Sequence, residues 1–314
     1  MSEFKKLLYV AMIVAVIGCL SGCNFGWRIN YIYQNGESYT AGDRVITEKI
    51  ENIDIDYMSG NVKLIGTDAE VVSVKETSER QLSDKQKVHT WVDGTTLYIR
   101  YCASAKGLEL NGLNKQLVIE CPQNVKLGEL KVDVSAGDVS CTKFEADNID
   151  VYTSSGTMEV DCSAKEMELR ALSGNIYLTQ HGESDDIEVH ASSGNITVSL
   201  ENVQMFHTFA SAGNVKINAE FINEFESRIS SGQGEYRLMQ VPEKTEIFQS
   251  AGNMTMYLPE DADLTGDFHL SSGKLFYELA FAKNGDKYVC GNGVNEMYVT
   301  SSSGDVDIKV IGAE

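Results

Sequence analysis

Ser192-Ser193-Gly194-Asn195-Ile196-Thr197-Val198 decides the fold of this chain, because the same phrase returns at a nearly fixed interval. Its core, Ser-(Ser/Ala)-Gly-(Asn/Asp) or a close variant, is centred on Gly60, Gly137, Gly156, Gly174, Gly194, Gly213, Gly232, Gly252, Gly273 and Gly304. From Gly137 to Gly273 successive glycines are 18 to 21 residues apart. A period near 20 residues is typical of one supersecondary unit that is repeated and stacked.

Apolar and polar residues alternate on both sides of each of these glycines. Counted from Gly194, positions +2 and +4 are Ile196 and Val198, and positions −7 and −5 are Ile187 and Val189. Period-two alternation predicts a strand with one buried face on each side of the corner. One coil is too small to bury that face alone, so we expect each strand to pair in parallel with its copy in the next coil.

These features predict an all-β fold, a single-chain right-handed parallel β-helix (β-solenoid) with coils of about 19–20 residues. Right-handed winding is expected because parallel crossover connections are overwhelmingly right-handed. A β-sandwich of hairpins is the alternative, but hairpins do not require the same tetrapeptide at the same phase. The strict glycine predicts a corner with positive φ. Asn at position +1 tolerates left-handed geometry and is expected to bond its copy in the adjacent coil.

The first 22 residues have the features of a bacterial lipoprotein signal peptide. Two lysines precede an apolar stretch at 7–20, which is shorter than the ~20 residues that a membrane-spanning helix needs. Leu20-Ser21-Gly22-Cys23 follows and resembles the lipobox, in which the cysteine thiol takes a diacylglycerol. We therefore predict a signal peptide at 1–22, lipidation of Cys23, and a membrane-anchored, extracytoplasmic position at the cell envelope. A plain signal peptide and an uncleaved anchor are the alternatives.

The remaining chain is predicted to form one domain behind a short tether. Residues 23–44 are polar and aromatic and are assigned to the tether, and residues 45–314 to the β-solenoid. A boundary inside the stack is not expected, because the coils stabilise one another. The period breaks at 75–117 and 281–295, which we interpret as excursions, and Asp93-Gly94 predicts a hairpin in the first of them. The strand at 117–122 is expected to restart the stack, with regular coils after it.

Charge and cysteine content exclude several classes of function. Without the signal peptide the chain has 45 acidic and 24 basic residues, which argues against binding to nucleic acid. Besides Cys23, the mature chain has an odd number of cysteines whose spacings match no zinc pattern. Cys141 and Cys162 are predicted to be buried thiols too far apart for a disulfide. No catalytic residue, cofactor or metal site is predicted.

Two outward rows on the strand before the corner form the candidate binding face. Position −6 is mostly acidic, and the Arg and His residues of position −4 can relieve its charge diagonally, so a solvated, charge-balanced face is one interpretation. The other is a binding face, with aromatic rings for sugars or partner side chains and carboxylates for cations or basic partners. Its predicted members, expected to form one continuous column, are Tyr152, Arg170, His190, Phe209, Arg228, Phe248 and His269.

At residues 53–65, 91–101 and 117–122, and in its Ser-Gly-Asn series, the chain resembles the bacterial putative-adhesin family of β-strand-repeat envelope proteins, a domain of unknown function. The shared elements are a first Ser-Gly-Asn-Val coil, an insertion with Asp-Gly-x-x-Leu-x-Ile, a strand that ends in Cys121-Pro122, and then the ladder of repeats. The resemblance covers roughly residues 45–312. It implies a solenoid at the envelope, and no catalytic residue comes with it.

Two hypotheses about function follow. The first is a non-enzymatic, lipid-anchored solenoid that acts as an adhesin-like binding or scaffolding module for an envelope protein or a glycan. The second is a carbohydrate-active β-helix enzyme, a polysaccharide lyase or hydrolase, which would need a local group of acids in a groove. An acid pair beneath one of the excursions would favour the second hypothesis.

Overall fold

The structure is a computed structural model that describes residues 28–312. Within that range the regular elements are β-strands and one short 3-10 helix at Gly36–Ser38, so the predicted all-β class is confirmed. None of the helical residues described forms a segment long and apolar enough to cross a membrane. The predicted signal peptide and Cys23 lie outside the described residues.

The strands fall into three groups along the chain. The N-terminal group is β1 (Arg28–Tyr31), β2 (Thr40–Ala41), β3 (Arg44–Ile46), β4 (Asn52–Ser59), β5 (Asn61–Thr67), β6 (Val72–Thr77), β7 (His89–Asp93), β8 (Thr96–Arg100), β9 (Ala105–Glu109) and β10 (Gln116–Pro122). The repeats are β11 (Leu127–Ala136), β12 (Val139–Ser155), β13 (Met158–Ser173), β14 (Ile176–Ser193), β15 (Ile196–Ala212), β16 (Val215–Ser231), β17 (Gly234–Leu238), β18 (Lys244–Ala251) and β19 (Met254–Leu258). The C-terminal group is β20 (Leu264–Leu270), β21 (Leu275–Tyr277), β22 (Ala282–Asn284), β23 (Lys287–Cys290), β24 (Asn295–Ser303) and β25 (Val306–Val310).

Two sheets with mainly parallel pairing run along the stack and meet at the glycine corners. We call the sheet made by the segments before each corner glycine the first sheet, and the sheet made by the segments after it the second sheet. Equivalent positions pair from coil to coil, in the first sheet Leu130, Ile149, Met167 and Ile187, and in the second sheet Val139, Met158, Ile176 and Ile196. All of these side chains are buried, so the apolar faces of both sheets share one interior.

The corner glycines have the positive φ that the sequence predicts and are also in close contact with one another. Their φ values run from 108° to 148°. A Cβ placed on Gly194 would lie 1.9 Å from the carbonyl oxygen of Gly174, and the neighbouring corners show the same approach. Two causes therefore exclude larger residues here, the left-handed backbone and the backbone of the adjacent coil.

The residues after the corner glycines form the predicted hydrogen-bonded ladder, in which each Asn bonds its copy in the adjacent coil. The backbone N–H of Asn195 donates to Oδ1 of Asn175 at 2.9 Å, and the N–H of Asn214 donates to Oδ1 of Asn195 at 2.9 Å. Each side chain therefore bonds the backbone of its copy. The left-handed geometry considered for these positions is not observed, because none of them is among the described non-glycine residues with positive φ. Glycine alone makes the turn, and the amide satisfies a corner N–H of the next coil.

The first excursion closes the N-terminal end of the stack. β8 pairs in parallel with β4, and β10 pairs in parallel with β5, both on the side of the first coil that faces away from β11 and β12. The expectation that β10 restarts the stack is therefore wrong: the chain passes beyond the first coil and then returns to it. The predicted hairpin is confirmed, since β7 and β8 pair with Asp93 opposite Thr96. Part of the predicted tether is folded onto this end, because β1 pairs with β9 and β2 with β7.

At the C-terminal end the spatial order of the coils differs from their order in the sequence. β24 pairs in parallel with β18 on one side and with β20 on the other, and β25 lies between β19 and β21 in the same way. The last coil, around Gly304, therefore lies between the coils of Gly252 and Gly273. The second excursion makes this return possible, because β23 turns back antiparallel to β20 before the chain enters β24.

A buried ion pair joins the two ends of the first excursion and contacts the first coil through Tyr57. Nζ of Lys115 lies 2.7 Å from Oε1 of Glu76, and both side chains are almost fully buried. The ammonium group also donates to two backbone carbonyls and lies 3.9 Å from the ring centre of Tyr101, and the hydroxyl of Tyr57 donates to Glu76. Burial lowers the pKa of Lys115, and the Glu76 carboxylate opposes that shift. Because every hydrogen-bonding group of the pair has a partner, the burial of the two charges is compensated, and the hydroxyl of Tyr57 joins the pair to β4.

The cysteines that the structure describes are free and buried, as the sequence predicts for Cys141 and Cys162. Burial raises the pKa of Cys141 to about 12. These thiols are therefore apolar core residues.

Candidate binding face of the first sheet

The predicted binding-face residues lie on the outer surface of the first sheet. Each is partly or fully exposed, whereas the residues before and after it along the strand are mostly buried, as for Phe209 between Thr208 and Ala210. The inward and outward phase of this strand is therefore the one that the sequence indicates. Whether these residues bind a partner stays a prediction.

The column of position −4 is continuous except at its C-terminal end. Parallel pairing runs Tyr152, Arg170, His190, Phe209, Arg228, Phe248 from coil to coil. The next residue in space is Thr300, and His269 follows it. The expectation of one unbroken column that includes His269 is thus wrong, because the Gly304 coil is inserted before the Gly273 coil.

Flat side chains in this column stack on one another along the axis of the solenoid. The rings of His190 and Phe209 are 4.6 Å apart with an interplanar angle of 10°, and the guanidinium of Arg228 lies 4.4 Å from the ring centre of Phe248. In this arrangement a ring face is turned toward a neighbouring coil, and the ring edges point to solvent. A sugar stacks on a ring face, so the column is poorly arranged for sugars and better suited to partners that meet it edge-on.

Ion pairs connect this column to the acidic row at position −6. Arg170 contacts Glu168 at 2.5 Å on its own strand and Asp150 at 3.0 Å on the preceding coil. Arg228 pairs with Glu226, and Nε2 of His190 lies 2.8 Å from Glu188. The predicted diagonal relief of the acidic row is present where Arg170 reaches Asp150 of the neighbouring coil, and the other contacts run along a single strand.

The Lys and Arg residues neutralise only part of the acidic charge, so the outer face of the first sheet remains acidic. Four Lys and Arg residues lie at positions −8, −6 and −4 of the ten coils: Lys131, Arg170, Arg228 and Lys244. Fourteen carboxylates lie at the same positions: Asp54, Asp56, Glu129, Asp133, Asp150, Glu166, Glu168, Asp186, Glu188, Glu224, Glu226, Glu246, Asp267 and Glu296. Such an excess of one sign attracts basic partners and repels acidic ones.

One group on this face has the residue types of a metal site. Oxygen atoms of Glu168 and Glu188 and a ring nitrogen of His190 lie within 4.8 Å of one another. Glu168 is already paired with Arg170, and Glu188 with His190. A cation would have to displace the guanidinium of Arg170 at Glu168, so the arrangement favours a charge network over a metal site.

The N-terminal part of the face contains a close pair of acids that lies beside the first excursion. Asp56 and Asp133 are paired across β4 and β11. Burial raises the pKa of Asp133 to about 6, with a further increase from the charge of Asp56. Burial also raises the pKa of Asp56, and Arg100 of the excursion opposes that shift. A carboxyl group with a pKa near 6 can exchange a proton close to neutral pH.

The second sheet contains a bridge that sequence analysis did not predict. His181 reaches Asp161 at 2.8 Å through one ring nitrogen and Glu201 at 2.9 Å through the other, so it joins three coils. The hydrogen bonds that the ring makes to the carboxylate of Glu201 and then to that of Asp161 raise the pKa of His181. A cavity of about 310 Å³ lies beside this bridge, and its lining includes Arg237 and Met239. It lies away from the predicted face, at the corner opposite the glycines.

Sequence analysis also did not predict a strip of aromatic rings at the N-terminal end of the stack. Neighbouring rings are 4.8 to 5.5 Å apart, in the order Tyr31, Tyr33, Tyr39, Trp91, Tyr98. All five are partly exposed. The available signal was the density of aromatic residues at 31–39, but only the fold brings that segment to the β7–β8 hairpin.

Comparison with known proteins identifies one family. The family model described as Toastrack DUF4097 matches residues 50–309. This match confirms the family resemblance drawn from the first coil, the excursion and the ladder of repeats. No curated protein matches this chain.

Several solved structures are similar to the chain at low sequence identity. One is described as a putative lipid binding protein from Parabacteroides distasonis, with 16% identity, a TM-score of 0.47, and coverage of 86% of this chain and 96% of that one. Another is described as a putative adhesin from Bacteroides fragilis, with 11% identity, a TM-score of 0.38, and coverage of 85% and 95%. A third, a putative cell adhesion protein from Clostridium sporogenes, has 11% identity, a TM-score of 0.32, and coverage of 86% and 99%. Nothing about what these proteins bind is carried over to this chain from similarities of this size.

Proposed function

The chain belongs to the Toastrack DUF4097 family, and from that premise we propose that it is an adhesin-like, non-enzymatic binding module anchored at the cell envelope by a lipid on Cys23. Its ligand-binding surface is the outer face of the first sheet. The partner is a protein with a basic surface. In this proposal the stacked side chains of the position −4 column form a rigid ridge that the partner contacts. The carboxylates around the column attract the basic surface of the partner.

The observation that carries the proposal is the charge of the face together with the stacking of its rings. Fourteen carboxylates against four Lys and Arg residues favour a cationic partner. Stacking of His190 on Phe209, and of Arg228 on Phe248, occupies the flat surfaces that a sugar would need. A protein partner can use the exposed ring edges and the carboxylates at the same time.

The test compares equal charge changes on the two sheets. The Glu188→Gln, Glu226→Gln double variant alters the first sheet, and the Glu159→Gln, Glu235→Gln variant is the control on the second sheet. We expect the first variant to weaken binding of a labelled oligolysine peptide by about fivefold to tenfold at low salt, and the control to have little effect. Equal weakening by both variants would show that the peptide senses only net charge. If the protein binds to a glycan array and this binding depends on Phe209, the ligand is a sugar and not a basic protein.

Lipid anchoring and an extracytoplasmic position are the second part of the proposal. They are supported by Leu20-Ser21-Gly22-Cys23 after a short apolar stretch with two preceding lysines. The strongly acidic mature chain also suits a soluble surface that is held by its lipid. Mass spectrometry of the mature N-terminus tests this part directly, since it distinguishes a diacylated cysteine from a free one.

A carbohydrate-active enzyme is the second candidate, and one observation favours it. Asp56 and Asp133 pair beside the first excursion, and Asp133 has a pKa of about 6. This is the acid pair that such an enzyme would need near an excursion. Release of reducing or unsaturated sugar ends from a polysaccharide panel, abolished by Asp133→Asn, would establish this activity in place of the binding module.

We also infer that the coils wind in the right-handed sense with a repeat of about 19–20 residues. The inference rests on the spacing of the corner glycines and on the handedness of parallel crossover connections. An experimental structure with left-handed coils would contradict it.

A further inference from the structure

A groove on the outer surface of the second sheet lies at the corner opposite the glycines. Its first part is the cavity of about 310 Å³ beside His181. A second cavity of about 330 Å³ adjoins it, since Glu201 and Glu220 line both. Pockets that hold small molecules in proteins begin at about 300 Å³, so the two parts together are large enough for a small ligand.

Irregularities in the repeat build the two walls of this groove. On one side, the pairing of β14 with β15 shifts its register between Gln180 and Glu183, and residues 181–183 are exposed. On the other side, β17 ends at Leu238, and the exposed residues 239–240 follow it. β15 and β16 form the floor between the walls. Three strand steps of about 4.8 Å separate β14 from β17, so the walls lie about 14 Å apart.

The first wall is held in place by hydrogen bonds within the protein. Gln180 is buried, and its amide nitrogen donates to the carbonyls of His181 at 3.0 Å and Gly182 at 2.9 Å. The backbone N–H of Glu201 donates to Oε1 of Gln180 at 3.0 Å, and the N–H of Gly182 donates to the Glu201 carboxylate at 2.7 Å. These contacts belong to the protein itself, so the shape of the groove is set before a ligand binds.

The floor offers hydrogen-bonding groups that the protein does not use. Oδ1 of Asn202 is buried, lines the second cavity, and has no hydrogen-bond partner within residues 28–312. A buried acceptor without a donor is unfavourable, so it marks a place where a donor from outside the protein is favoured. The side chains of Ser199 and Asn218 line the first cavity, and they too form no hydrogen bond to the described part of the chain.

The other groups around the groove narrow the class of ligand. Arg237 is positively charged and Glu220 negatively charged, and neither forms an ion pair with another described residue. An anionic ligand would meet the carboxylates of Glu183 and Glu220, and a cationic one would meet Arg237. The ring of Phe221 is partly exposed in the second cavity, and no other ring that the structure describes stacks on it. Hydroxyl groups on an uncharged ring with an apolar face match this set, because a hydroxyl both donates and accepts.

From these observations we propose that the groove between β14 and β17 binds a neutral sugar, as one or two residues of a glycan. A sugar hydroxyl donates to Oδ1 of Asn202, other hydroxyls bond Ser199 and Asn218, and the apolar face of the sugar packs on Phe221. This site takes a different ligand from the acidic face of the first sheet and so goes beyond the proposed function. Its position on the second sheet leaves the first sheet free for a protein partner.

Saturation-transfer NMR on the full mature chain tests the class of ligand. The probes are the neutral disaccharides cellobiose, maltose, lactose and N,N′-diacetylchitobiose at millimolar concentrations, and we expect at least one of them to bind saturably. Phe221→Ser should weaken that binding by about tenfold or more, because it removes the apolar surface on which the sugar packs. Phe209→Ser is the matched control, since Phe209 is a partly exposed Phe on the first sheet, and it should leave sugar binding unchanged.

A second variant separates binding from folding. Asn202→Leu removes the unpaired acceptor and keeps a similar volume, so we expect the same tenfold loss of sugar affinity at an unchanged or higher melting temperature. A side chain that serves only the fold would lower the melting temperature when it is replaced. Asn148→Leu, at a partly exposed position of β12 on the first sheet, is the matched control and should not change sugar binding.

Each possible result decides the proposal. Saturable binding that both groove variants lose and both controls keep would establish the site. No saturable binding across the panel, or binding that persists in Asn202→Leu, would overturn it. Binding of an oligolysine peptide that Asn202→Leu abolishes would also overturn it, because the groove would then take a cation. None of these results depends on Glu188 or Glu226, so the proposed protein-binding face is tested separately.

Discussion

Gly194→Ala is the sharpest test of how the coils are held together, because one added methyl group meets the backbone of the next coil. The new Cβ would lie 1.9 Å from the oxygen of Gly174, whereas an ordinary contact is at least 3.4 Å. The two coils would have to separate by about 1.5 Å at this corner. Neither atom belongs to a flexible side chain, so no rotamer change can relieve the collision.

The expected cost follows from the hydrogen bonds that this separation breaks. Gly174 N–H donates to the Ser193 carbonyl at 2.9 Å, Ile176 N–H donates to the Asn195 carbonyl at 2.9 Å, and Asn195 N–H donates to the Asn175 side chain. Three bonds at about 1 kcal/mol each, with ~1 kcal/mol of backbone strain at a φ of 138°, predict a loss of about 4 kcal/mol of unfolding free energy.

Gly182→Ala is the matched control for this experiment. Gly182 also has a positive φ, 72°, but a Cβ there meets nothing within 4 Å. It should therefore show only the backbone strain, about 1 kcal/mol. Urea unfolding followed by circular dichroism gives both values, and hydrogen exchange at the neighbouring coils detects local opening if the stack does not unfold in two states. Equal losses for the two variants would refute the proposed contact between coils.

Three further outcomes are expected. Cys23→Ser should release the protein from the membrane fraction or leave its signal peptide uncleaved, and an unchanged mass and partition would contradict lipidation. Phe209→Ser with Phe248→Ser should lower the melting temperature only slightly, because both rings are partly exposed, yet abolish partner binding; a large fall in melting temperature would mean that the rings support the core. The bridge of His181 to its two carboxylates raises the pKa of that histidine, so its stabilisation is complete below the ordinary value of 6.5 and is lost as pH rises through the raised value. Melting temperatures of wild type and His181→Gln should therefore converge with increasing pH, and a gap that widens instead would exclude the charged bridge.

The strand pattern and the corner were predictable from the sequence because both depend on local rules. Alternation of apolar residues such as Ile187 and Val189 decides which side of a strand is buried, and this gave the outward phase of Phe209 without a structure. The glycine requirement was also local, although its stronger cause, the contact with the preceding coil, becomes visible only when the coils are stacked.

The functional features that sequence analysis missed all depend on distant pairing. His181 bridges two residues, each twenty positions away in the sequence, one on either side. A repeat of about 20 residues indicates such a contact only once the exact register between neighbouring coils is known. The aromatic strip joins residues 31–39 to the β7–β8 hairpin, and nothing in either segment names the other as its partner. The stacking of His190 on Phe209 was predictable as a column, but the orientation of the rings, which disfavours sugar binding, was not.

The order of the last coils shows why repetition limits such predictions. The coils of Gly252, Gly273 and Gly304 share one pattern, so any of them can pair with any other, and the interior alternation is satisfied in either order. The segment between β20 and β24 decides the order. β23 runs antiparallel along the outer edge of β20 and covers it. The chain can then return only along the other edge of β20, where β24 pairs with it. The N-terminal excursion uses the same arrangement, with β8 and β10 placed outside the first coil. At both ends the irregular segment covers a sheet edge that could otherwise pair with another chain, so the breaks in the period are the caps that a single-chain stack requires.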